Sequence, residues 1–132
     1  MALEPNRTTR DYLYGRLLAI AEHLENRALR IAGEKRESSA ARLMHRFADR
    51  PYSTWRTIEL SLNPYKSRLR SKRSWFLPEM EKQLDAVVGA FQGQDFTEEK
   101  RRSGEFLLGY HCQRQALWTK PEPETDEDES DI

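Results

Sequence analysis

The residues of this chain best suited to chemistry are its cations. Between Lys35 and Arg73 stand eleven basic residues (Lys35, Arg36, Arg42, Arg46, Arg50, Arg56, Lys66, Arg68, Arg70, Lys72 and Arg73) against three acidic ones (Glu37, Asp49 and Glu59), a local net of +8. The densest part, Tyr65 to Trp75, alternates cations with serines and ends in aromatics. Guanidinium and ammonium groups beside hydroxyls and aromatic rings suit phosphate oxygens and the faces of unpaired bases. The same run also fits a solvated helix face, or a surface that docks acidic protein.

Bond-making chemistry has no comparable foundation. His111 and Cys112 are adjacent, and neighbours on a helix point about 100° apart, so they do not form a nucleophile–base pair. His23, His45 and His111 are scattered, and a single cysteine gives no zinc-ligand spacing. Glu22 and Glu25, like Glu79 and Glu81, lie on nearby helix faces without metal-binding partners, and read as helix solvation and dipole complement. The glycines form no phosphate loop. The expectation is a non-enzymatic protein with no cofactor and no metal.

At 132 residues the chain is one domain with a modest core. Its formal net charge of zero conceals a strong asymmetry. Residues 119–132 carry seven acidic residues and one lysine, a net of −6, and residues 1–118 carry the compensating +6. Within the latter, residues 1–34 are neutral and residues 74–118 net −2, so the positive field is local and favours a defined face. Cys112 alone rules out an internal disulfide and fits a reducing cytoplasm. The N-terminal residues hold no apolar run of the signal-peptide kind. No apolar stretch approaches the ~20 residues of a membrane span.

These residues must be positioned by helices. After an exposed lead-in over 1–8, Thr8 or Thr9 can cap a first helix with Asp11 in its first turn. Leu13, Leu17, Ile20, Leu24, Ala28 and Ile31 make its apolar stripe, which Leu18 and Ala21 widen, and Gly33 ends it. Ser38 or Ser39 can cap a second helix running to Arg50. On it Arg42, Arg46 and Arg50 fall within about 80° of one another, with Leu43, Met44, Phe47 and Ala48 on the adjoining and opposite sides. Pro51 closes that helix or opens the next, whose stripe is Trp55, Ile58 and Leu62 with Tyr52 alongside. Asn63-Pro64 breaks or kinks it.

A short helix then runs from Tyr65 to about Arg73, with Lys66, Arg70 and Arg73 on one side, Arg68 and Lys72 on another, and Leu69 to pack. Phe76, Met80, Leu84, Val87, Val88 and Phe91 mark the next helix, with Pro78 near its start. Gln92 to Asp95 is a turn, and Thr97-Glu98-Glu99-Lys100 has the composition of a helix start. The last helix, about Ser103 to Trp118, carries Phe106, Leu107, Tyr110, Leu117 and Trp118. Its Gly104 and Gly109 mark close approach to another helix. Trp55, Phe76, Phe91, Phe106 and Tyr110 fall on core stripes; Tyr65 and Trp75, inside the basic patch, are open to core packing or base stacking. Residues 119–132 lack core-forming residues and read as a disordered acidic tail. No segment alternates as a strand does, so the fold class is all-α, a bundle of roughly five or six helices.

Two strings carry a family resemblance. Arg-Asp-Tyr-Leu-Tyr-Gly-Arg-Leu-Leu-Ala-Ile-Ala-Glu-His-Leu-Glu (10–25) and Ser-Gly-Glu-Phe-Leu-Leu-Gly-Tyr-His-Cys-Gln-Arg-Gln-Ala-Leu (103–117) resemble the C-terminal region of the large subunit of the type I-C (Dvulg-subtype) CRISPR effector, Cascade. Ala-Ala-Arg-Leu-Met-His-Arg-Phe (40–47) and the run from Pro51 to Tyr65 are similar to the same region, so the likeness covers residues 9–118 as one helical-bundle domain. The resemblance implies a separate small subunit translated from an internal start within the large-subunit gene, or a trimmed piece of that region. Such subunits are helical bundles that line the belly of Cascade in more than one copy. They lie beside the crRNA-backbone subunits and help hold the R-loop open by offering a basic path to the displaced non-target strand. The expected partners are therefore the large subunit, the crRNA-bound subunits, further copies of the chain and displaced single-stranded DNA, with no membrane. No family motif singles out DNA-contacting positions. On the helical wheel the candidates are Arg42, Arg46 and Arg50, about 6 Å apart along one face, extended by Lys66, Arg68, Arg70, Lys72 and Arg73. Arg56, on a helix with a core stripe, stays outside this set.

Overall fold

The computed structural model describes residues 2–72, 75–99 and 103–119. Among them lie six α-helices, one 3-10 segment and no strand: α1 (Arg10–Ala32), α2 (Ser39–Leu43), the 3-10 segment Met44–Ala48, α3 (Pro51–Ser61), α4 (Asn63–Arg70), α5 (Phe76–Ala90) and α6 (Glu105–Thr119). The all-α expectation is met. Arg73 and the acidic residues 120–132 lie outside the described residues, and with them the disorder expected of the tail.

α1 is the axle of the bundle. A helix apolar on one stripe covers one neighbour, whereas α1 buries Tyr12, Leu13, Tyr14, Leu17, Leu18, Ile20 and Leu24 in succession. Apolar contact on every side places a helix in the interior, and α6, α5, α4 and α2 all pack against it. Its C-terminus ends at Gly33 with φ 77°, the left-handed conformation that glycine adopts without a Cβ penalty; the Gly33 and Glu34 amides close the last turn on Arg30 and Leu29. Thr9 stands at the N-cap without capping by its side chain, and its hydroxyl donates to Glu105 (2.8 Å).

α6 packs more extensively on α1 than any other element does, and two glycines permit it. A Cβ on Gly109 would stand 2.0 Å from the Tyr12 carbonyl oxygen, and one on Gly15 would stand 2.0 Å from the Phe106 carbonyl oxygen. The close approach expected at Gly109 is present. Gly104 faces open space, and the reciprocal contact comes from Gly15. Polar groups seal this contact: Arg16 donates to the buried Gln113 (2.8 Å), Tyr110 to Glu22 (2.6 Å) and the Ser103 amide to Asp11 (2.7 Å). Cys112 is buried within the same helix.

The stretch 38–50 departs from one continuous helix. Ser38 caps α2 as expected, accepting from the Ala41 amide (3.1 Å), yet the α-helix ends at Leu43 and tightens into 3-10 geometry. The tighter turn carries Phe47 fully into the core, between Tyr14 and Phe106 with ring centroids 5.9 and 5.2 Å away. Arg50, before Pro51, is forced out of the helical region (φ −134°, ψ 66°). Asn63-Pro64 separates α3 from α4 as expected. Thr97 to Glu99 starts no helix; Phe96 stacks on Tyr14 (5.9 Å) and holds that segment against the bundle.

Glu25 is also corrected by the structure. It is no solvating carboxylate but 0% exposed, accepting from the Ser39 amide (2.7 Å) and the Ala40 amide (3.3 Å), with Arg36 at 3.6 Å. A buried charge is tolerated when paired and hydrogen-bonded. Here the first amides and positive dipole end of α2 supply that compensation, so the dipole it complements belongs to another helix.

Candidate nucleic-acid interface

The 3-10 segment and α3 enclose an open groove of about 320 Å3. Arg46, Arg50 and His45 stand along it, Ser53 and Thr57 contribute hydroxyls, and Leu43 forms part of its apolar lining. Asp49 is the acidic residue of this lining. Arg46 and Arg50 are both exposed and make no ion pair among the described residues. Arg42, one turn earlier on α2, is exposed, and among the described residues its guanidinium donates to the Ser39 hydroxyl (3.0 Å). Because 3-10 geometry turns about 120° per residue rather than 100°, these three do not form the continuous α-helical stripe that a wheel drawn over 38–50 implies. Their common exposure has another cause: Phe47 takes the inward position and leaves the arginines outside.

The second predicted cluster is largely engaged by the protein itself. Lys66 is half-buried and pairs with Glu81 (3.7 Å), in a separate cleft floored by Trp55 and Leu62. Arg68 reaches Glu34 and the Ala28 carbonyl, both at 3.5 Å. Tyr65 is buried with 8% exposure and is no free stacking platform. Arg36 donates to its hydroxyl, and Arg36 and Arg68 lie over its ring at 5.5 and 5.8 Å. Trp75 packs on Phe76 (5.5 Å) and against the core. Arg70 is exposed and Lys72 half-exposed, neither with an ion pair among the described residues. Arg73 lies outside them. The structure therefore unites Arg46 and Arg50 in one groove, places Arg42 on the helix before it, and leaves the 66–72 cations elsewhere.

Arg56, outside the predicted set, is bound locally: its guanidinium pKa is raised by a hydrogen bond to the Tyr52 hydroxyl, then by the charges of Tyr52 and Glu59.

Three residues at or behind the groove lacked a sequence signal. Ser53 and Thr57 are ordinary helix positions until α3 is set beside the 3-10 segment. Glu99 reaches the N-terminus of α3 from 46 residues along the chain, accepting from the Tyr52 amide (2.9 Å), the Ser53 amide (3.3 Å) and the Ser53 hydroxyl. No local pattern encodes such a contact.

Among the described residues no cluster of His, Cys, Asp and Glu could hold a metal ion, and no helix is long and apolar enough to cross a membrane. Fold and groove together define an all-α bundle with a localised, solvent-facing arginine surface. The sequence matches the family model of the CRISPR-associated protein Cas_Csd1 over residues 1–118, and the chain belongs to that family. No curated protein matches it. Family membership agrees with the CRISPR-associated character implied by the strings at 10–25 and 103–117.

Proposed function

We propose that this chain is the non-catalytic small subunit of a type I-C Cascade surveillance complex, and that it steadies the R-loop by gripping the displaced non-target strand. One observation carries the reading. Arg46 and Arg50 line one groove with hydroxyls beside them, exposed and free of ion pairs to described residues, while Lys66 and Arg68 are committed to internal partners. Guanidinium forks that face solvent need no internal pair broken before they bind phosphate, and their planar donors suit phosphate oxygens. Opening a duplex for a guide is a nearly balanced exchange, as is established for a different, single-protein RNA-guided effector. A few backbone contacts that slow reannealing therefore suffice, and they read charge rather than sequence. The role needs no cofactor and is performed among the large subunit, the crRNA-backbone subunits and further copies of this chain.

The test is the triple variant Arg42→Glu, Arg46→Glu, Arg50→Glu, assembled into the complex, with Lys66→Glu as the control. Circular dichroism should show the bundle intact. R-loop lifetime should fall by at least tenfold, and the salt dependence contributed by this chain should shallow by about 2 in log–log slope for three lost phosphate contacts. Wild-type R-loop stability in the triple variant would refute the assignment. A second reading makes the chain a purely structural module whose basic face docks protein partners. It is favoured by exposed Leu60 (63%) and Trp118 (60%), which suit apolar contacts. It predicts that complexes with and without the chain bind target equally well at every salt concentration.

A further inference from the structure

α3 borders a second cleft on its other side. Ser53 and Thr57 line the arginine groove, and Trp55, two residues from each, projects about 160° around the helix axis from both. There, between α3, α4 and α5, the buried Trp55, Leu62 and Leu84 floor a cleft of about 240 Å3. Its charge is opposite to that of the groove. Glu59, Glu81 and Asp85 stand around it against Lys66, three carboxylates and one ammonium. The carboxylates are not equally engaged. Glu81 pairs with Lys66 (3.7 Å). Glu59 meets Arg56 (3.3 Å) in a pair exposed on both sides, which holds it weakly. Asp85 is exposed and has no ion pair among the described residues.

The floor carries an unmet demand of its own. Trp55 is 1% exposed, yet its indole N–H finds no acceptor among the described residues. Buried donors are almost always paired, because an unsatisfied one loses its hydration without compensation. Indole donates and does not accept, so an oxygen acceptor is what completes it.

We propose that this cleft docks a basic segment of a partner protein, which lays an arginine across the rim to Asp85 and Glu59 and gives a main-chain carbonyl to the Trp55 indole N–H. Each feature of the cleft selects that occupant. The excess of carboxylate repels a phosphate chain, which leaves the other side of α3 to anions. The apolar floor suits the methylene stem of an arginine, and its planar fork fits a carboxylate through two parallel hydrogen bonds. A peptide also brings an acceptor oxygen with every residue. α3 thus divides two surfaces of opposite sign, and both can be occupied at once. The docking site stands on its own observations and does not require the groove to bind DNA.

The probe is a blocked hexapeptide alternating arginine and leucine, titrated into the full chain at low salt. The same peptide with glutamate in place of arginine is the control. The Trp55 indole N–H signal, assigned by its absence in Trp55→Phe, reports occupancy by NMR. The arginine peptide should move that signal saturably, and the glutamate peptide should leave it in place. The double variant Glu59→Gln, Asp85→Asn changes exposed side chains and should keep the wild-type circular dichroism, while its affinity for the arginine peptide falls about three- to tenfold. An unmoved indole signal, equal movement by the glutamate peptide, or wild-type affinity in the double variant would overturn the docking site. Saturable movement of the same signal by oligothymidylate rather than by the peptide would also overturn it, and would assign the cleft to nucleic acid.

Discussion

Glu25→Gln removes a charge without changing side-chain shape, and the structure fixes what should follow. In the wild type the fully buried carboxylate accepts from the Ser39 amide at 2.7 Å and the Ala40 amide at 3.3 Å. A glutamine can keep one of these through its oxygen, now as a neutral bond, a loss of about 1 kcal/mol. Its amide NH2 then faces the other backbone N–H, donor against donor, which leaves a buried group unsatisfied at about 1–3 kcal/mol. The favourable dipole interaction with α2 adds a few tenths to about 1 kcal/mol. Pairing with Arg36 adds little, because that partner is substantially exposed and 3.6 Å away. The expected loss is about 2–5 kcal/mol, a large share of the roughly 5–15 kcal/mol that holds a domain together. Urea unfolding gives the total. Amide exchange locates it, with residues 39–48 losing protection before α1 and α6 do. Since α2 carries Arg42 and leads into Arg46, the groove should loosen with it. Glu22→Gln, whose wild-type carboxylate accepts from the Tyr110 hydroxyl at 2.6 Å, is the matched control and should cost about 1 kcal/mol. A Glu25→Gln stability within about 0.5 kcal/mol of wild type would refute the capping account.

Two further outcomes follow from the α1–α6 contact and its surroundings. Gly109→Ala should destabilise by about 3 kcal/mol or more, the upper end for overpacking, because its Cβ would meet backbone rather than a movable side chain. Gly104→Ala, in open space, should be near neutral in the same thermal denaturation series, and equal effects would break the argument. Burial, first of all, raises the pKa of both Tyr14 and Tyr110 well above the ordinary tyrosine value, and the bond from Tyr110 to Glu22 adds to it. The folded state therefore holds these protons more tightly than the unfolded chain does. Their contribution is fully present below about pH 10 and is lost as the pH rises beyond it. Tm measured from pH 8 to 12 should fall less steeply for Tyr110→Phe than for wild type, and parallel curves would count against the assignment.

Periodicity and punctuation were enough to read most of the helices. The stripe of α1, the stop at Gly33, the Ser38 cap and the Asn63-Pro64 break are local consequences of side-chain spacing and of backbone restrictions that glycine and proline impose, so they survive intact from sequence to fold. The local rules fail where a distant group intervenes. A wheel drawn through 38–50 assumes one helix, but burying Phe47 against Tyr14 and Phe106 is worth more than the regularity of the last turn, and the backbone tightens to reach them. The composition of Thr97 to Lys100 fits a helix start, yet Glu99 lies in no helix and caps α3.

The candidate site divides in the same way. That the cations concentrate between Lys35 and Arg73 is decided by sequence alone, because eleven of them stand there against three acids. Which cations remain available is decided only by tertiary structure. Glu81, Glu34 and Tyr65 come close to Lys66 and Arg68 because α1, α4 and α5 pack together, whereas nothing among the described residues reaches Arg46 and Arg50 to pair with them. Pairing depends on separations of a few ångströms between groups far apart in the chain, and only the packed bundle sets those distances.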